Sequence, residues 1–425
     1  MTRRLGAVLL AVGCLVATLW ALDWAIDRWD LGYEAARSHA NDDRMLTRPE
    51  YSVRVVTNAL GFRERRLPGP KPPGTRRVVA LGDSFTAGYG VEEAEAYPHL
   101  LEMLLGARDP AHRWEVINLG VPGTNPRDYL GILRTVGVAY QPDVVLVGVM
   151  ANDVYDIRIQ QAFGTQFSSG VLVQAQQEID HPRPWWKTVA NDALPSLYPF
   201  VWTRVARLNT SGPRQAVAAT PDTAHRMSLP PDRWRDVLLA FADRFDRRAA
   251  VAAALSQLPE AEIAPMRPLL TGDVALDAPE AADPYFTLLG LVEPELFVDA
   301  VLLPPSYDAA WAKMARVLGL IDHTARAAGA RTVIAFIPAA HQVTDSPRPF
   351  LTAHHFAWDD RTLTDTTFAD RLRALGDARG VTTVDLLGTC RAQPNRRELY
   401  YPEDGHWTPT GHRLAAGGLV GAIDR

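Results

Sequence analysis

Short apolar, β-branched runs alternating with helical patterns constrain this chain most. Val78–Leu81 is one such run, and it ends in Gly82-Asp83-Ser84. Trp114–Leu119 and Val144–Val149 follow, with Tyr129, Ile132, Leu133 and Val136 at helical spacing between them. Runs of this kind read as buried strands, and the helix between them must cross over the sheet. A helical pattern is also expected from about Tyr97. Strands and helices in this rhythm predict a parallel sheet with right-handed crossovers.

The rhythm lapses over residues 156–306, where helical stretches such as Asp232–Leu258 and many prolines replace it. This segment reads as a mostly helical insertion, a lid or substrate-selecting surface. Within it, Trp185-Trp186 is read as packing, with a sugar- or acyl-lining role as the alternative. Alternation resumes near residue 307. Tyr307, Trp311, Met314, Leu318 and Ile321 share a helical face, and Gly329 suits its C-terminal cap. Strands are expected over Thr332–Ile337 and Val381–Leu386, with Phe368–Leu375 in a helix between them. Thr408-Pro409 supplies an N-cap and first-turn pair for a final helix through Leu414 and Leu419.

At the N-terminus, Arg3 and Arg4 precede an apolar run from Leu5 to Leu22, with Trp20, Trp24 and Trp29 around its far end. Such a run suits a single membrane-spanning helix with an interfacial aromatic belt. A cleavable signal peptide competes, but no A-x-A site precedes Asp23, so an uncleaved signal anchor is the expectation. The positive-inside rule then leaves the arginines in the cytoplasm and exports the rest. The expected divisions are therefore an anchor over 1–27, a Pro-rich approach segment over 28–75, a first part of the sheet domain over 76–155, the insertion over 156–306 and a second part of the sheet domain over 307–425.

The net charge of -5 over 425 residues offers no basis for nucleic-acid binding. Cys14 and Cys390 form no cluster, so neither a disulfide nor a thiolate metal site is expected. Adjacent His354 and His355 lack metal-ligand spacing with other candidates. His412 reads as a helix-surface residue.

Taken alone, Gly-Asp-Ser is an ordinary turn. Three further blocks lie downstream: Asn118-Leu119-Gly120, Asn152-Asp153 after an apolar run, and Asp404-Gly405-His406-Trp407 before the last helix. Ser, Gly, Asn and His in that order resemble the SGNH (GDSL-type) hydrolases, over about 76–155 and 311–425. The resemblance implies a three-layer, flavodoxin-like parallel sheet with the site at its carboxyl edge. Asn58-x-x-Gly61-Phe62-Arg63 resembles a segment that anchored members carry before the serine block; no catalytic role is assigned to it.

A serine hydroxyl becomes a nucleophile when a neighbouring base takes its proton, and a carboxylate orients that base. Ser84 is the candidate nucleophile and His406 the candidate base. Asp404 is the preferred carboxylate, with Glu403, at the spacing many members use, as the fallback. The resemblance implies an oxyanion hole from the backbone N–H of Ser84, the backbone N–H of Gly120 and the side-chain amide of Asn152. One departure stands out: Met150 occupies a position that is usually Gly.

The expectation is a serine esterase acting on an O-acyl, specifically O-acetyl, ester of a cell-envelope carbohydrate or lipid, without metal or organic cofactor. The Asp-x-His-Trp block resembles the polysaccharide O-acetyltransferase branch, so an O-acyltransferase with the same triad is the alternative. A non-catalytic carbohydrate-binding scaffold is the third reading.

Overall fold

The computed structural model describes residues 2–31, 33, 35–163, 165, 168–180, 185–209, 229–275 and 279–424. The chain divides into two units, one of Met1–Glu34 with Asp180–Ala216 and one of Ala35–Ile179 with Val217–Arg425.

The smaller unit contains the helices Thr2–Trp29, Trp185–Ala193 and Leu197–Asn209. Ala7–Trp29 has 23 residues and a mean hydropathy of 2.0, with little of it covered by protein. At 1.5 Å per residue it extends about 34 Å, enough for a bilayer's hydrocarbon core. A membrane anchor and a signal sequence both meet that description. Asp23, just past the apolar run, accepts hydrogen bonds from the N–H groups of Ser196 (2.8 Å) and Leu197 (2.7 Å), capping the start of the third helix. Trp186 lies in this unit and is 45% exposed.

Among its described residues the larger unit has seven strands: β1 (Asp43–Arg48), β2 (Tyr51–Val56), β3 (Thr75–Leu81), β4 (Arg113–Asn118), β5 (Val144–Val149), β6 (Arg331–Phe336) and β7 (Thr382–Asp385). The last five form one parallel sheet in the order β4-β3-β5-β6-β7. Every residue of β5 is buried, as expected where helices cover both faces. Helix Tyr97–Arg108 packs with the last helix, Pro409–Ile423, while Pro126–Thr135 and Ala151–Phe163 pack with Asp308–Ala327. The connection from β3 steps outward to β4, and the next returns past β3 to β5. Right-handed crossovers therefore place these two helix groups on opposite faces. The expected three-layer α/β fold is the one observed.

Three local differences matter. Residues 28–75 include an antiparallel hairpin, β1 with β2, closed at the pair Arg48 and Tyr51. A helical turn, Ser84–Ala87, starts at the serine itself, well before the predicted helix at Tyr97. The helical stretch expected over Asp232–Leu258 breaks into Trp234–Asp243 and Arg248–Leu255, with Asp246 between them at a φ of 56°. The segment 156–306 contains only helical elements among its described residues.

Candidate active site

Register brings the relevant strand ends together. Ala80 pairs with Asn118 and with Leu146, so β3, β4 and β5 finish along one edge. The connections after β3 and after β4 run in opposite directions along the sheet, which makes the end of β3 the switch point where open α/β sheets bind ligands. Ser84 is at that point. Asp83 caps its short helix, accepting from the Phe85 N–H at 3.0 Å. The Ser84 N–H falls in the first helical turn, where no intrahelical carbonyl is available to it.

His406 arrives from the other end of the chain. Tyr400 and Trp407 bridge in antiparallel fashion, and Tyr401 donates its N–H to the His406 carbonyl at 2.9 Å. Gly405 closes this tight turn at a φ of 79°, a conformation that favours glycine. Thr408 then caps the last helix, as expected. The imidazole packs against two rings, with centroids 4.9 Å from Phe85 and 4.7 Å from Tyr89.

The polar contacts form a continuous chain. Ser84 Oγ is 2.7 Å from His406 Nε2, and His406 Nδ1 is 2.5 Å from Asp404 Oδ1. With the proton on Nδ1, the ring donates to the carboxylate and accepts from the serine. Burial disfavours the imidazolium, but the Asp404 charge, its hydrogen bond and the Asp83 charge outweigh it, so the His406 pKa is raised above 6.5. Asp404 is partly buried, yet His406 and the hydrogen bond from Tyr51 hold its carboxyl below the ordinary value. Glu403, the fallback, is exposed, and its N–H donates to the Glu50 carboxylate.

Gly120 follows β4. A Cβ there would come within 2.4 Å of the Ala87 nitrogen and 2.7 Å of the Thr86 carbonyl carbon, so only glycine lets this loop meet the Ser84 helix. Its N–H donates to Asn118 Oδ1 at 3.0 Å, so an oxyanion would have to share or displace that bond. Asn152 follows β5, with Nδ2 3.4 Å from Asp83 Oδ2, which leaves a second N–H on that nitrogen. Met150 is packed into the core, and its N–H donates to Asp153 Oδ2 at 2.8 Å.

Buried carboxyls stand behind the serine. Burial pushes Asp83, Asp153 and Asp156 upward, and the charge of Asp83 adds to the effect on the other two. Asp153 accepts from Tyr129 Oη at 2.9 Å.

His412 departs from expectation. It is fully buried rather than on the helix surface, accepts from the Tyr97 N–H through Nδ1 at 3.2 Å, and burial lowers its pKa to about 3. Its position on the helix is periodic with the core side, but a polar ring there is easily read as facing water. His354 pairs with Thr287 and His355 with Glu262. Among the described residues, no group of His, Cys, Asp or Glu side chains is arranged to hold a metal ion.

Sequence reasoning missed Tyr51 and Glu50, which contact the Asp404 loop, and no local signal marks them. It did single out Asn58-x-x-Gly61-Phe62-Arg63, whose role is structural. Asn58 Oδ1 accepts from Leu60 and Phe62, and Gly61 has a φ of 83°. Phe62 is fully buried, and the Arg63 guanidinium donates to the carbonyls of Ala87, Gly88 and Val91. Arg63 thus braces the segment that follows Ser84.

A parallel α/β sheet that presents a serine, an imidazole and a carboxylate at its carboxyl edge has the layout of a hydrolase that acts on esters. Residues 80–414 match the model of the GDSL-like Lipase/Acylhydrolase family, and the chain belongs to that family. It is also similar to a lipase/acylhydrolase from Enterococcus faecalis, at 13% identity over 82% of this chain and 95% of that one, with a TM-score of 0.33. An acetyl xylan esterase, AlAXEase, matches at 12% identity over 81% and 98% of the two chains, with a TM-score of 0.35. No curated protein matches the chain. As a member of the GDSL-like Lipase/Acylhydrolase family the protein is an enzyme that hydrolyses ester bonds.

Proposed function

We propose that this enzyme is a membrane-anchored, exported serine esterase that cleaves an O-acyl ester, specifically an O-acetyl ester of a cell-envelope carbohydrate or lipid, through an acyl-enzyme on Ser84. The observation that carries this reading is the unbroken contact chain from Ser84 Oγ through His406 to Asp404.

In the first half-reaction Ser84 Oγ attacks the carbonyl carbon while His406 Nε2 takes the hydroxyl proton. The imidazolium that forms is stabilised by Asp404. The carbonyl oxygen becomes an oxyanion facing the Ser84 N–H, the second N–H of Asn152 Nδ2 and the Gly120 N–H. Collapse breaks the ester C–O bond, and His406 returns its proton to the departing alcohol. Water then attacks the acyl-serine with His406 again as base, releasing the acid and restoring the hydroxyl.

Incubation with p-nitrophenyl acetate tests the assignment. Wild-type enzyme should release p-nitrophenol and gain one acetyl group by rapid-quench mass spectrometry. Equal turnover by Ser84→Ala would reject it.

The Asp404-x-His406 spacing supports a second reading, in which a sugar hydroxyl instead of water resolves the acyl-enzyme. Supplying an acyl donor with oligosaccharide acceptors should then give acylated sugar by mass spectrometry. Free acid alone, across several acceptors, would leave only hydrolysis. The anchor is tested by alkaline carbonate, which should leave the full-length chain in the membrane fraction.

A further inference from the structure

The β1–β2 hairpin lies wholly before residues 80–414, the span that matches the family model, yet its tip reaches the histidine loop. Tyr51 Oη donates to Asp404 Oδ2 at 2.8 Å, the oxygen that does not face the imidazole. Glu50, in the hairpin turn, accepts from the Asp404 N–H at 2.8 Å and from the Glu403 N–H at 3.2 Å. The two residues therefore grip Asp404 by its side chain and its backbone. Each comes from more than 350 positions away, a separation of 353 for Tyr51 and 354 for Glu50.

The contact is held in place from several sides. Tyr51 is 9% exposed, and its ring is 4.8 Å from that of Tyr401 and 6.2 Å from that of Tyr89. Tyr401 in turn donates to the Gly90 carbonyl at 2.9 Å. A Cβ on Gly90 would lie 3.0 Å from the Tyr401 ring and 3.2 Å from that of Tyr51, so the backbone is close-packed against both rings.

We infer that Tyr51 is a positioning residue for the ester-cleaving reaction, and that the hairpin carrying it, with Glu50, completes the active site by fixing the Asp404 carboxylate against His406. The inference rests on the assignment of Asp404 and His406 proposed above. A carboxylate with two oxygens can swing about its Cβ–Cγ bond; an O–H donor on the distal oxygen stops that rotation and leaves the near oxygen aimed at Nδ1. The same donation stabilises the ionised form of Asp404.

Asp404 faces His406, Tyr51, Arg48 and Tyr401, with Glu50 at its backbone. His406 faces Asp404 and Asp83, with His412 behind it. Without the Tyr51 donor, Asp404 attracts the imidazole proton more strongly, so His406 stays protonated to higher pH.

The test is Tyr51→Phe in the full chain, which removes the hydroxyl and keeps the ring. With p-nitrophenyl acetate, kcat should fall roughly tenfold, the effect of one hydrogen bond to a charged group, with KM within about twofold. The acid limb of kcat/KM should move to higher pH. Tyr401→Phe, which removes a hydroxyl that donates to the Gly90 carbonyl and not to Asp404, should move that limb less than Tyr51→Phe does. Glu50→Gln, which keeps an acceptor oxygen, should retain more activity than Glu50→Ala. An unmoved acid limb in Tyr51→Phe overturns the inference, whether kcat is unchanged or falls only in step with a lower Tm. Loss of activity in Ser84→Ala alongside a wild-type pH profile in Tyr51→Phe would overturn this inference alone, whereas full activity in Ser84→Ala would remove the reading on which it rests.

Discussion

Replacing Asp404 by Asn tests the electrostatic part of the site while nearly preserving shape. In the wild type, Oδ1 accepts from His406 Nδ1 at 2.5 Å and Oδ2 accepts from Tyr51 Oη at 2.8 Å. An amide can keep its oxygen toward the imidazole only if Tyr51 turns its hydroxyl to accept from the new NH₂. Even then the charge is gone. A hydrogen bond to a charged partner contributes about 1.5–3 kcal/mol, and at about 1.4 kcal/mol per decade its loss is worth a factor of roughly ten to 150 in kcat. If the amide turns its NH₂ to Nδ1 instead, the imidazole carries its proton on Nε2 and cannot accept from Ser84, which costs considerably more. The expected loss is therefore about a hundredfold or greater. The pH profile has a determined sign. Burial lowers the His406 pKa, and the Asp404 charge is what chiefly raises it above 6.5, so Asp404→Asn should leave burial dominant. The acid limb of the residual activity should move to lower pH, opposite to the shift expected for Tyr51→Phe. The assay is initial-rate hydrolysis of p-nitrophenyl acetate from pH 5 to 9. A kcat within threefold of wild type, or an acid limb that does not move, would refute the reasoning.

Other perturbations are equally specific. Gly120→Ala places a methyl 2.4 Å from backbone nitrogen of the Ser84 helix, and the overpacking should cost about 1–3 kcal/mol by denaturant titration as well as most activity. His412 has a folded pKa of about 3 against an ordinary 6.5, so its contribution to stability is present above 6.5 and lost as pH falls toward 3; His412→Phe should flatten the decline of Tm across that window. Asp156 is buried with its pKa raised, so it costs stability once pH exceeds the ordinary 3.8. Asp156→Asn should accordingly raise Tm at pH 7 and leave it unchanged at pH 3, and equal effects at both would argue against the raised pKa.

Much of the architecture was legible because strand and helix periodicity is a local property. Val144–Val149 is a strand with the predicted bounds, and β4 and β6 each begin one residue earlier than predicted. Glycine and proline signals placed the final helix, its Thr408 cap and the loop that carries His406. The early start of the helix at Ser84 was hidden because four residues are too few to show a period. His412 was misplaced because a polar type outweighed its helical phase, and the interior accommodates the ring through one backbone N–H.

What the sequence determined by itself is therefore the set of parts: buried strands in order, a family-typical series of blocks, and an apolar N-terminal helix. What only the tertiary structure decided is which parts meet. Ser84 and His406 are 322 residues apart, and their contact depends on parallel strands ending at one edge and on a histidine loop closed by Gly405. The choice of Asp404 over Glu403 as the imidazole's neighbour, and the arrival of Tyr51 at its far oxygen, likewise come from packing. Periodicity and turn chemistry act between residues a few positions apart, whereas these contacts are selected by the burial of whole elements against one another, which no short stretch of sequence encodes.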